Sequence, residues 1–184
     1  MGLRTWSQAW NAALLVAVGS LWLASGTQHE RAVLGDSKSS EAVRALEVQV
    51  AMAPGDALRR RDLAQAYLDV QAPGLAVSVV ESAPPAVRTS PIIEHVYARA
   101  LIDEGRSVDA LAAERRVLAR CTPSADDDSR CDTWLLASAT RRADILRELV
   151  ELGVDDAQAH PEASAIAYHN ATREARLAAP TAMR

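Results

Sequence analysis

Two cysteines, four histidines and a run of aspartates carry most of the chemistry this sequence offers. Cys121 and Cys131 flank the turn-rich acidic stretch Thr122–Arg130. In an exported chain, an even cysteine pair at short spacing reads as a disulfide. Closing so short a loop stabilises by roughly 2.5–3 kcal/mol on a chain-entropy basis. The spacing is not Cys-x-x-Cys, so a dithiol redox centre is not expected. A zinc set of Cys121, Cys131, His160 and His169 matches no finger or ribbon spacing, so no metal is assigned. Asp126, Asp127 and Asp128 lack the alternating ligands and glycine of an EF-hand, which leaves a solvated loop.

Catalytic signatures are equally sparse. His95 lies beside the apolar face of a helical stretch, with no nucleophile elbow or triad motif near it in sequence. No glycine-rich phosphate loop and no His-Glu-x-x-His occurs. Glu47, Glu81, Glu94 and Glu104 fall on separate helices and read as solvated faces. Asn170-Ala171-Thr172 matches a glycosylation sequon inside a helical stretch, which matters only in a secretory eukaryote. Neither an enzymatic activity nor a cofactor is expected. The leading expectation is a binding protein, and the alternative is a metal- or redox-linked protein using Cys121 and Cys131.

These residues sit in a chain of 184 residues, 49% hydrophobic and 24% charged, with net charge −4. That composition is globular, not disordered. An acidic balance with pI near 5.6 argues against a nucleic-acid surface. Phe is absent and Lys38 is the only lysine. The lysine deficit reads as coding bias and carries no functional meaning.

Residues 1–26 form a hydrophobic leader. Arg4 is the only charged side chain before Glu30, and the run Ala12–Ala24 is apolar apart from Gly19 and Ser20. A basic start, a short apolar run and the small residues Ala24-Ser25-Gly26 fit an export signal cleaved before Thr27. The same stretch fits a single transmembrane anchor, with Trp10 and Trp22 at its two ends. Either reading places the remainder outside the cytoplasm. The expected location is the bacterial inner membrane, single-pass, with the helical domain in the periplasm; signal cleavage would instead release it.

Residues 27–40 read as a polar tether. From Val43 onward the apolar period is helical. Val43, Leu46 and Val50 make one stripe, and Leu63, Tyr67 and Val70 the next. Leu75, Ala76, Val79 and Val80 follow, then Ile93, Val96, Tyr97, Ala100 and Leu101. Val108, Leu111, Ala112 and Leu118 give another, and Ile145, Leu146, Leu149 and Val150 the last strong one. No segment alternates at period two, so the fold class is all-α with no sheet. Asp56 and Ser90 are candidate N-caps, Ser90 standing before Pro91 at N1. Gly105 suits a C′ position, and Ser107 is a candidate cap for the following helix. Short connections imply antiparallel hairpins.

A period of 34 residues links Ala64 to Ala98, Tyr67 to Leu101 and Ala76 to Ala110, with two helices per period. On these residues, and on Leu63, Val80, Ala83, Gly105 and Val117, the chain resembles the tetratricopeptide-repeat (TPR) family. Ala42, Leu46 and Pro54 resemble the second helix of a preceding repeat. The resemblance covers roughly residues 41–120. Glu114 stands where a bulky apolar residue belongs, Arg88 where a proline often sits, and the register is lost after Cys121.

The resemblance implies a short α-solenoid of helix hairpins over residues 41–178, TPR-like, preceded by the N-terminal hydrophobic helix and followed by a tail at 179–184. It implies that the first helix of each repeat lines a concave groove. Leu58, Arg61, Gln65, Leu68 and Asp69 then face it from one repeat, and Ile92, His95, Arg99 and Ile102 from the next. Arg61, Gln65, His95 and Arg99 become the candidate partner-binding residues, of which Arg61, Gln65 and Arg99 would hold a peptide backbone or carboxylate. The lysine–asparagine clamp for chaperone C-termini is missing. The groove is either open or filled by the chain's own C-terminal helix. The expected function is therefore a non-enzymatic extracytoplasmic scaffold or assembly factor that binds a protein partner at the membrane. An accessory subunit docked on a larger membrane complex is the near alternative.

Overall fold

A computed structural model describes residues 37–122 and 131–178. The hydrophobic leader, most of the polar tether, the acidic loop at 123–130 and the tail lie outside these residues. The chain divides at Ser40 into two units, Met1–Ser40 and Glu41–Arg184. Only Ser37–Ser40 of the first is described.

Eight helices are found among the described residues, and no strand. They are α1 (Ser37–Met52), α2 (Ala57–Asp69), α3 (Pro73–Glu81), α4 (Pro85–Arg88), α5 (Pro91–Asp103), α6 (Ser107–Cys121), α7 (Thr133–Glu151) and α8 (Pro161–Ala178). No described helix is long and apolar enough to cross a membrane. Most of the tether expected over 27–40 lies outside the described residues, and its last four, Ser37–Ser40, form the first turn of α1. Ser-Lys-Ser-Ser carries no apolar stripe, so periodicity could not reveal that turn.

Local chemistry fixes the boundaries. Asp56 caps α2, its carboxylate accepting from Leu58 N at 2.9 Å and Arg59 N at 3.2 Å. Asp132 caps α7 by accepting from Leu135 N at 2.6 Å. Gly105 takes φ +73 just past α5, a left-handed conformation that costs glycine nothing. Two expected caps differ. Ser90 precedes Pro91 but makes no side-chain cap bond. Ser107 is the first residue of α6, and its hydroxyl donates instead to Asp155 O at 2.6 Å, tying α6 to the turn between α7 and α8.

α2 and α5 start 34 residues apart, and so do α3 and α6. α2 packs on α3, α5 on both of them and on α6, α6 on α7, and α7 on α8. Ala64, Ala76, Ala98 and Ala110 are wholly buried at these contacts. A methyl side chain at each lets backbones approach closely, while Tyr67, Ile93, Leu101 and Val117 fill the remaining volume. After Cys121 the 34-residue offset fails, since α7 starts 42 residues after α5 and runs 19 residues where α2 and α5 run 13.

One apolar stripe falls differently from its sequence pattern. Val108 is exposed on α6, and the buried face is Ser107, Ala110, Leu111, Glu114, Val117 and Cys121. Glu114 sits in the middle of the core-facing stripe and so hid it from a search for apolar spacing.

Candidate functional site

The disulfide is the first positioning device. Cys121 is the last residue of α6 and Cys131 lies two before α7; they are bonded across a Cα–Cα distance of 5.4 Å. Cys121 is buried with Val117, Leu135 and Ala139, against Ile92, Leu118 and Leu136. The cluster fastens the start of α7 against α6. Because the cysteines are bonded to each other, the zinc set with His160 and His169 does not assemble. No group of three or more potential metal ligands occurs among the described residues.

Fastened in this way, α7 delivers Ser138 and Arg142 onto α5 and α6. Glu114 has no solvent exposure, and His95 has 6%. His95 Nδ1 lies 2.9 and 3.0 Å from the two Glu114 oxygens. Arg142 Nη1 donates to Glu114 Oε1 at 2.8 Å and to His95 O at 2.9 Å. His95 Nε2 lies 3.1 Å from Ser138 Oγ. Trp134, one turn before Ser138, meets the imidazole edge-on with centroids 6.0 Å apart, yet is 64% exposed. A carboxylate only accepts, so a proton on Nδ1 satisfies the His95–Glu114 pair and leaves Nε2 to accept from the Ser138 hydroxyl. Arg142 Nη1 also approaches His95 Nδ1 at 3.3 Å, a consequence of both donors converging on one carboxylate.

The expected groove residues separate. Gln65 and Arg99, occupying the same position 34 residues apart, come together: Arg99 Nη1 donates to Gln65 Oε1 at 3.3 Å. Gln65 Nε2 then donates to Asp69 Oδ1 at 2.7 Å. Arg61 is held by its neighbour Asp62 at 2.5 Å. His95 does not face an open groove; it is buried beneath α7 as described above. The helix that covers His95 is α7, and the C-terminal helix α8 packs on α7. Ile92, another expected groove residue, packs against the disulfide cluster.

Two further buried charges, Glu94 and Arg60, each tie a pair of helices together. Glu94 on α5 accepts from Arg116 Nε at 3.2 Å and Arg120 Nη1 at 3.1 Å, both on α6. Arg60 donates from Nη1 to Val79 O at 2.7 Å, joining α2 to α3, and burial pulls its pKa below the ordinary arginine value. Tyr67 donates to Glu47 of α1. Burial first, and that hydrogen bond second, push the Tyr67 phenol up to about 12.

Ser138, Arg142 and Trp134 were not singled out by sequence. A usable signal existed: Leu135, Ala139, Arg142 and Leu146 share one helical face, so Arg142 interrupts an apolar stripe just as Glu114 does on α6. Opposite charges interrupting two core stripes invite pairing, because an unpaired buried charge is expensive. No protein-family model, curated protein or solved structure matches the chain.

Proposed function

We propose that the chain is a TPR-like helical-repeat scaffold, held at the bacterial inner membrane by residues 1–26, whose helical domain binds a protein partner in the periplasm. The observation that carries the reading is the Gln65–Arg99 pair. Two first helices, 34 residues apart, present equivalent polar side chains side by side. Repetition of one helix pair is what generates an extended binding face in solenoid proteins. The Arg99 guanidinium has a neutral partner there, so its charge stays available for a carboxylate or a peptide carbonyl. Exposed apolar side chains at Leu58 on α2 and at Val48 and Met52 on α1 suit docking on a larger assembly.

The test is site-specific photo-crosslinking in membranes of cells expressing the full chain with its own leader. A photo-reactive residue replaces Gln65, Arg99 or, as the rear control, Arg115, which is exposed on α6. A discrete adduct from positions 65 and 99 with none from 115 is expected. No adduct at 65 and 99, or equal adducts at all three positions, would overturn the reading.

A further inference from the structure

Beyond partner binding, the structure assigns Ser138 a second role: an activated serine nucleophile for acyl transfer, with His95 as its general base and Glu114 and Arg142 as positioning residues. Three helices contribute one link each. Ser138 Oγ is 3.1 Å from His95 Nε2, and His95 Nδ1 is 2.9 Å from Glu114. Both distances fall in the range expected between a nucleophile, its base and the group that orients the base. The orienting carboxylate is wholly buried and anchored by Arg142, which fixes the imidazole with Nε2 towards the serine.

The serine's own behaviour is a separate observation. Hydroxyls inside helices commonly fold back onto the carbonyl four residues earlier. Thr140, two residues on, does so with Leu136 O at 2.8 Å. Ser138 instead reaches across to α5. It is partly exposed, and exposed Trp134 stands one turn before it, giving an aromatic surface beside the hydroxyl. Arg142 stands one turn after. Its Nη1 makes all three of its contacts to the network. Its remaining guanidinium nitrogens reach solvent, because Arg60 Nε is the only buried side-chain nitrogen or oxygen without a partner among the described residues.

The chemistry balances with water as the only co-reactant. Ser138 Oγ forms a bond to the acyl carbon of an activated ester while its proton passes to His95 Nε2. The carbon–oxygen bond to the leaving group breaks, and His95 returns that proton to the departing oxygen. Water then attacks the acyl-serine, giving a proton to His95 and releasing the acid and free Ser138. Trp134 suits esters with an aromatic or flat apolar leaving group.

The test treats the folded full chain with diisopropyl fluorophosphate and reads intact mass and the modified peptide, with p-nitrophenyl acetate as the ester probe. A single adduct on Ser138 is expected, absent from Ser138→Ala. His95→Gln with unchanged circular dichroism should label about 10²-fold more slowly. Should that variant fail to fold, wild type in urea replaces it, since unfolding removes His95 from Ser138. The absence of an adduct, an adduct that survives Ser138→Ala, or labelling equally fast without His95 in place would overturn the assignment.

Discussion

Arg142 donates to Glu114 at 2.8 Å inside the helical core, and Glu114 has no exposed surface. The pair joins α6 to α7, and His95 extends it to α5. Such a pair is conditional on the side of the carboxylate: Arg142 still reaches solvent with its side chain 24% exposed, whereas Glu114 without its cation is a buried charge short of a partner.

Arg142→Ala should therefore cost about 3–5 kcal/mol in urea unfolding, because it leaves the Glu114 carboxylate, which has no exposed surface, without its cation. Glu114→Leu combined with Arg142→Leu should cost much less, because both charges leave together and the site becomes apolar. An Arg142→Ala variant within about 0.5 kcal/mol of wild type would mean that water reaches Glu114 and that the network is not what holds α7 down.

Close backbone approach where α2, α3, α5 and α6 meet gives a second expectation. Ala98→Leu places three extra carbons where no solvent-accessible surface remains, and should cost about 1–3 kcal/mol or more. Ala112→Leu, on the exposed side of α6, should stay within about 0.5 kcal/mol. Thermal unfolding of the two variants side by side checks this; equal effects would contradict the close packing.

Tyr67 gives the alkaline prediction. Its phenol is raised to about 12 by burial and by Glu47, against 10.0 when unperturbed. A raised folded value means the native state holds the proton more tightly than the unfolded chain. The contribution is complete below pH 10 and is lost as pH rises through about 12. Phenolate absorbance should show one late-titrating tyrosine near pH 12 that disappears in Tyr67→Phe. Tyr97 is also raised, by burial and then by Glu81, so a second delayed step should survive that substitution.

Removing the disulfide tests the fastening of α7. Cys121→Ala with Cys131→Ala should lose about 2–3 kcal/mol, and a reductant should bring wild type towards the same midpoint. An unchanged midpoint under reduction would show that the apolar cluster holds the α6–α7 junction unaided.

Much of this was legible in the sequence because helices report their buried face through apolar spacing. Ala64, Ala76, Ala98 and Ala110 were readable as close contacts, and Pro91, Gly105 and Asp56 as boundaries. The cysteine pairing was readable from its short spacing together with the expectation that the chain is exported. What escaped was polar. Glu114 and Arg142 each break an apolar stripe and look like mistakes until the two helices meet. Ser138 is 43 residues from His95, and only the packing of α7 joins them. The sequence leaves open what covers His95, because the 34-residue offset stops at Cys121 and gives the helix that follows no position. The first turn of α1 escaped because four polar residues carry no periodicity.

The most direct measurement is intact mass of the full chain expressed with its own leader, taken on membrane and soluble fractions, with alkylation before and after reduction. Full-length protein in the membrane fraction, with both cysteines protected until reduced, is the expected result for an anchored, oxidised, outward-facing domain. Full-length protein with both thiols alkylated at once would contradict export and the disulfide together.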